Sequence, residues 1–541
     1  MTRLCSCVLA CAVWAGISPL GGADIYRVEA SIPSGGLDLV GMGYAGDALL
    51  GPSSAALVSV TGAVTCAEGL TTAHPFAIQN DTPKATLTLK DAGLLGRVPV
   101  RVTGAAAATT YFDGATLAID ETTDPQILAA SGTTVQFDNL TVSSKVKPAT
   151  WRLPDAPDTT CYVRRDTRIG CDGGTGTVVV ARTGLGRTNG SDLPGLGSRG
   201  HAKLYLGDVS APGAGLSSGT LRVEGGTASA WETSFGSDHA PAPEPGAAAP
   251  NVLQMEGGMF ITLNFHLRGP QPALIAFNGG CIASHGWSPF LTFQKNASGD
   301  LVLEGRNGRP IDVQFGKRAS FVRWLEGAAG RLVFRGDSDV YLYGGDFDPA
   351  ASYAEQCRQG AQYANRADGQ GLLWQQTGDL RFRANVYASV SRAILASNDF
   401  LPHGPANGGV EVVAASPKLF WLDLNGTTQS CNSLFGGGLV TNSAATAATL
   451  NIGENGNACT FDVQVCAGSP LAVRKLGAGD LVVARAIPGS LAVEAGRAVV
   501  TDASGAVTVG TLALAPDAAL VVRGGVFTPP TAFDLSASGT G

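Results

Sequence analysis

The sequence predicts an all-β chain stacked as a β-solenoid with irregular loop insertions. Three observations carry that expectation. Glycine contributes 73 of 541 residues, about twice its usual share of roughly 7%. Charged residues make up 15%, against about 25% in ordinary domains. The most specific observation is a recurring unit: a glycine, a small or acidic residue, then alternating apolar positions. Between Leu471 and Val522 it appears as Gly479-Asp480-Leu481-Val482-Val483, Gly489-Ser490-Leu491-Ala492-Val493 and Gly510-Thr511-Leu512-Ala513-Leu514, with a glycine-free version at Ala518-Ala519-Leu520-Val521-Val522. Glycine is expected to turn the chain at positive φ, and the period-two Leu/Val that follow put one face of a short strand into a core. Strands this short, with no helix between them, do not build a doubly wound sheet. They bury their inward faces by stacking as rungs.

The chain is expected to open with a secretory signal over 1–23. Arg3 supplies the positive end, Leu4 to Ile17 an apolar stretch too short to span a bilayer, and Gly21-Gly22-Ala23 a small-residue cleavage site. Cleavage after Ala23 leaves Asp24 as the first mature residue. Val8-Leu9-Ala10-Cys11 is the lesser alternative, a lipobox with a very short apolar region. No later stretch approaches about 18 uninterrupted apolar residues, so no transmembrane segment is expected in the mature chain.

A first solenoid region is read over 24–238. It holds the alternating Ala85-Thr86-Leu87-Thr88-Leu89 and the units led by Gly114, Gly132 and Gly219; Trp151 to Gly200 reads as a long loop. The tract 239–250, with His239-Ala240-Pro241-Ala242-Pro243-Glu244-Pro245-Gly246, reads as a linker or protruding loop. A second solenoid region covers 251–528, with units led by Gly299, Gly330 and Gly378 before the Leu471–Val522 stretch; 529–541 is a flexible tail. Uneven spacing suits a stack whose insertions leave as loops between rungs. Only Pro349 to Ala367 reads as helical, opened by its proline.

Three of the 11 cysteines, Cys5, Cys7 and Cys11, leave with the signal. The eight others, Cys66, Cys161, Cys171, Cys281, Cys357, Cys431, Cys459 and Cys466, fit disulfides in an exported protein, with connectivity open. Cys161 with Cys171 and Cys459 with Cys466 are the closest pairs and are expected to bridge. Net charge is −7, and no basic run interleaves with aromatics, so neither nucleic acid nor a polybasic membrane patch is expected.

The stretch Lys475-Leu476-Gly477-Ala478-Gly479-Asp480-Leu481-Val482-Val483, followed by Gly489-Ser490-Leu491-Ala492-Val493, resembles the autotransporter-associated β-strand repeat. That resemblance covers about a tenth of the chain. It implies a right-handed parallel β-helix in an exported bacterial surface or secreted protein, and it brings no catalytic residues. The family's Asn/Thr/Tyr-Gly turn is replaced by Ala484-Arg485-Ala486-Ile487-Pro488. No outer-membrane barrel, which needs many strands of about ten residues, is read here, so the expectation is release after export or a truncated passenger.

Motifs of enzymes read better as turns. Gly215-Leu216-Ser217-Ser218-Gly219 has the G-x-S-x-G pattern but lacks the strand before and helix after. Gly195-Leu196-Gly197-Ser198-Arg199-Gly200 runs into a strand-like segment, whereas a dinucleotide fingerprint opens a helix. Cys171-Asp172-Gly173-Gly174-Thr175-Gly176-Thr177-Val178 starts like a calcium nonapeptide but has Val178 where aspartate belongs. The six histidines, His74, His201, His239, His266, His285 and His403, form no zinc-type pair. No catalytic, cofactor-binding or metal-binding residue is therefore assigned, and no cofactor is expected.

Two features stay open for function. Asp300, Asp379 and Asp480 recur just after glycine and, if stacked, would make an acidic ladder; turn-making is their other reading. Trp287, Trp324, Trp374 and Trp421, with Tyr341 and Tyr343, would bind sugar rings if exposed in a row, or pack a core. The expected role is structural or adhesive, at the cell surface or outside the cell, with no catalysis assigned. The expected partner classes are an extracellular glycan or another surface protein. The alternative is a polysaccharide lyase or hydrolase, or a glycan-binding scaffold, on the same fold; converging Asp/Glu with Arg or Lys on one rung face would favour it.

Overall fold

The computed structural model describes side chains over 116–530, apart from 122–134, 154–160, 182–202, 245–249, 285–288, 315–319, 346–358, 385–389, 414–417, 502–503 and 505; elsewhere it describes the backbone of strands alone. The regular elements among the described residues are strands. Apart from two antiparallel pairs, Ile17–Pro19 with Ile25–Val28 and Gly345–Asp346 with Val390–Leu395, they pair in parallel with the strand one rung on, as a β-solenoid. The chain divides into two compact units, Met1–Thr262 with Arg268–Ala273, and Leu263–Leu267 with Leu274–Gly541.

In the first unit, Ile25–Val28, Asp47–Leu50, Phe76–Asn80 and Val100–Gly104 form one parallel ladder. Leu57–Val60, Thr86–Lys90, Thr109–Ile119 and Thr134–Val142 form another. Ala149–Arg152, Thr175–Val180, Ser218–Val223 and Asn251–Met255 form a third. Long strands serve two shorter ones of the next rung: Thr134–Val142 pairs with Thr160–Val163 at one end and Asp166–Cys171 at the other. The ladder branches there without closing into a barrel.

That layout overturns the expected Cys161–Cys171 bridge. The two strands lie end to end along Thr134–Val142, which separates the cysteines by roughly 25–30 Å of extended chain at about 3.3 Å per residue. A disulfide needs Cα atoms within about 7 Å, and both thiols are free. Cys459 and Cys466 are also free. Cys459 opens the strand Cys459–Phe461, while Cys466 follows Gln464–Val465 in a different ladder. Cys66 and Cys357 lie outside the described residues.

In the second unit, alternation sets the core. Ile311, Val313, Val340, Leu342, Leu380, Phe382, Val410 and Val412 face inward from four successive strands and are almost fully buried. Each such side chain contributes about 1.5–3 kcal/mol by leaving water. Stacking of like on like continues with Leu303, Phe334 and Trp374, whose strands follow one another. The Phe334 and Trp374 rings lie 4.1 Å apart at 10°. Rung length varies: one-rung contacts join residues 17 apart at Arg497–Asp480, 31 at Arg331–Asp300 and 40 at Asp379–Asp339.

The glycine-led units of Leu471–Val522 form strands as expected, alternating between two ladders: Asp480–Val483, Arg497–Thr501 and Ala519–Arg523 in one, Leu471–Lys475, Ile487–Val493 and Ala506–Leu514 in the other. The reason for their glycines differs from the expected positive φ. Gly477 and Gly496 take left-handed φ of 66° and 71°; Gly479, Gly489 and Gly510 do not. A Cβ on those three would stand 2.1 Å from Asn457 O, 1.8 Å from Leu471 O and 2.3 Å from Pro488 O. They are glycine because the preceding rung's backbone fills the space.

Lys475 occupies an inward column between Ile452 and Val493 and is 0% exposed. Its ammonium is satisfied by backbone, donating to the carbonyls of Leu476, Gly477 (2.7 Å) and Ala495 (3.4 Å). Burial lowers its pKa. The expected helix at Pro349–Ala367 is overturned in its described part: Ala361–Tyr363 is a strand paired with Val390–Leu395. Tyr363 is wholly buried there, so core packing overrides the local helical preference; 349–358 lies outside the described residues.

Candidate functional site

The same alternation that sends Ile and Val inward turns polar side chains outward. Ile282 lies opposite Val313, so Cys281 falls beside Asp312. Asp312 lies opposite Tyr341, Tyr341 opposite Arg381, and Arg381 opposite Glu411. A second outward column carries Tyr343 opposite Arg383. One rung face thus brings carboxylates, arginines and tyrosines together.

The Arg383 guanidinium lies 3.5 Å from the centre of the Tyr341 ring, a cation–π contact. Arg383 also donates to the Tyr343 hydroxyl. That hydroxyl and the Gln314 amide donate to the Asp312 carboxylate, whose Oδ1 is buried without a hydrogen-bond partner. Burial raises the Asp312 pKa, against those hydrogen bonds and the Arg383 charge. Tyr343 is pushed up to about 12 by burial, with the Asp312 charge adding to it. A buried carboxyl with an unused oxygen beside an arginine can accept a hydrogen bond from a ligand hydroxyl. Next to this network the Arg381 guanidinium is caged, 2.6 Å from Asp339 and 2.6 Å from Glu411. Those carboxylates are engaged, so Asp312 is the group in the cluster with an unused oxygen.

The aspartates read from the repeat form no ladder. Asp300 accepts the Arg331 backbone N–H at 2.9 Å and binds its guanidinium at 2.7 Å. Asp379 accepts the Gly409 N–H at 2.8 Å. Asp480 holds Arg497 through both carboxylate oxygens, at 2.7 and 2.8 Å. Each one ties its own rung to the next, which extends the turn-making reading across rungs.

Among the described residues the tryptophans form no row either. Trp374 is buried, stacked on Phe334, and donates its indole N–H to Phe400 O at 2.9 Å. Trp324 is half-buried against Phe293. Trp421 is half-buried on its own strand, Leu419–Asp423, and Trp287 lies outside the described residues. Ser217 is a structural bridge, accepting Gly173 N–H at 2.9 Å and donating to Asp208 O at 3.2 Å. Asp172 sits at φ 49° and accepts from the Ser210 N–H at 2.8 Å, the behaviour of a turn. The 195–200 glycines, His74, His201 and His285 lie outside the described residues. His266 pairs with Gln294 at 2.7 Å, and His403 Nδ1 lies 3.1 Å from Leu401 O.

Asp312, Arg381, Arg383 and Glu411 were missed in the sequence because they form no linear motif. Aligning Ile311-Asp312-Val313-Gln314, Val340-Tyr341-Leu342-Tyr343 and Leu380-Arg381-Phe382-Arg383 as successive rungs would have found them. Compared with known proteins, the chain matches no family model, no curated protein and no solved structure.

Proposed function

We propose that the protein is an exported bacterial solenoid of the autotransporter-passenger kind, with a structural or adhesive role at the cell surface or outside the cell. The observation that supports it is how its outward charges are used. Arg152 with Glu224, Lys203 with Glu232, Arg335 with Glu304, Arg474 with Glu494 and Arg485 with Asp462 pair across rungs at 2.6–3.0 Å. Exposed pairs of this kind stabilise little individually, but they keep the wall of a stack polar and in register. A scaffold needs such a wall.

A second reading, a glycan-binding or carbohydrate-cleaving face, is favoured by the unused Asp312 oxygen beside Tyr343 and Arg383. One experiment separates the two. The chain from Asp24 to Gly541 is incubated with neutral and acidic polysaccharides, following released ends and retention on insoluble polymer. Retention on polymer or on cells without products, unchanged in Asp312→Asn, supports the adhesive scaffold. Products that vanish in Asp312→Asn overturn it in favour of chemistry at that face.

A further inference from the structure

A ladder of the second unit opens at Val322–Trp324. Val322–Trp324 pairs on one side with Leu291–Phe293. On its other side, contact with the following rung is a single bridge, Ser320 to Gln362, with the Phe321 N–H donating to Gln362 O at 2.7 Å. Beyond that bridge the rungs part, and a cleft of about 500 Å³ lies between 322–328 and 364–368. Ligand sites commonly enclose about 300–1,000 Å³, so this one has room for a mono- or disaccharide unit.

The far wall is fixed in place. Asn365 Oδ1 accepts the N–H groups of Arg366 (2.8 Å) and Gly371 (3.0 Å). Arg366 binds both carboxylate oxygens of Asp368, at 2.9 and 3.0 Å, and reaches across to Ala329 O at 2.5 Å. Gly371 permits this: a Cβ there would stand 2.5 Å from Arg366 Cβ and 2.8 Å from Trp324 Cζ2. At the base, Trp324 stacks on Phe293 of the preceding rung, with centroids 5.3 Å apart at 9°, and its indole N–H is held by Gly330 O at 3.0 Å. Trp324 lines the cleft, with Gly371 of the following rung close to its Cζ2. On the near lip, Arg323 and Glu326 are exposed and have no partner among the described residues.

The charges of this lining cancel, Arg323 and Arg366 against Glu326 and Asp368, which disfavours a polyanion or a polycation. The exposed Arg323 and Glu326 at the lip disfavour an apolar ligand. We infer that this inter-rung cleft binds a neutral sugar unit, packed against Trp324 and hydrogen-bonded by Arg323 and Glu326. The site is separate from the Asp312 face and names the ligand class for the adhesive reading.

The test titrates the full chain with cellobiose, maltose and chitobiose by calorimetry, with polygalacturonate and an extended Ser-Val octapeptide in parallel arms. At least one disaccharide binds, and Arg323→Ala and Glu326→Ala each weaken it at least tenfold with the thermal midpoint unchanged. Binding by none of the three sugars, equal binding by the Arg323→Ala/Glu326→Ala protein, or binding of polygalacturonate or the peptide alone would each overturn the cleft. Sugar binding in solution with no retention on any cell or polymer would keep the cleft and remove the adhesive reading instead.

Discussion

Arg392 and Asp423, 31 residues apart in sequence, meet as an ion pair with both residues buried. Asp423 also accepts from the Ser443 N–H (3.0 Å), the Ser443 hydroxyl (2.6 Å) and the Asn425 N–H (2.9 Å). One carboxylate thereby joins three successive rungs. Removing one partner strands the other charge without solvent. Asp423→Ala is expected to cost about 3–5 kcal/mol in urea unfolding, and the Arg392→Met/Asp423→Leu pair much less. A loss under about 1 kcal/mol for the single variant, the range of exposed pairs, would mean that water reaches the pair.

Gly489→Ala tests the close approach between rungs. With Leu471 O only 1.8 Å from the added Cβ, the rungs must part, at an expected cost of about 1–3 kcal/mol. Gly468 is the contrast: its φ is 78° and nothing stands within 4 Å. Gly468→Asn should change stability by no more than about 0.5 kcal/mol, since asparagine tolerates that conformation. Equal effects from the two variants would show that the close approach to Leu471 O does not select the glycine at 489.

Alkali should weaken the fold through its thiols. Burial holds Cys161 and Cys431 far above the usual range and pushes Cys281 and Cys459 up to about 11. In the unfolded chain these thiols ionise near about 8.5. Above that pH the folded state retains more protons, so stability is full below it and falls as pH rises toward the folded values. Lys475 runs the other way, because burial lowers its pKa; its term grows as pH rises toward about 10.4. Four thiols outweigh one amine. Thermal midpoints from pH 8 to 10.5 should drop, and the Cys281→Ala/Cys459→Ala protein should drop less. A flat profile in the parent protein would refute the thiol account.

Trp374 anchors the core by stacking and by one hydrogen bond. Trp374→Ala should cost about 3–5 kcal/mol. Trp374→Phe keeps a ring against Phe334 but leaves Phe400 O without its donor, for about 1–3 kcal/mol. If alanine and phenylalanine cost the same, the ring contact adds nothing and the hydrogen bond carries the effect.

The solenoid was legible because alternation is local: Leu481, Val483, Leu491 and Val493 declare their inward faces within single strands, and all four are buried. The aspartates were half legible, as turn residues after glycine, because a sequence shows the turn but not the arginine waiting one rung on. The disulfide expectation failed for a geometric reason. Ten residues that look adjacent on paper are laid out straight along a neighbour, and nearness in sequence becomes distance in space. Asp312 and Arg383 were hidden by the variable rung length, since the register that joins them is set by loops of unequal size.

That variation in rung length has a thermodynamic meaning. Closing a 40-residue rung in place of one of 17 residues adds only about 0.8 kcal/mol of loop-closure entropy, because the cost grows with the logarithm of length. A single net hydrogen bond is worth about as much. The stack can therefore accept a whole new excursion between two rungs for less than the loss of one good contact inside them, and its outward loops are free to diverge while the ladders keep their register.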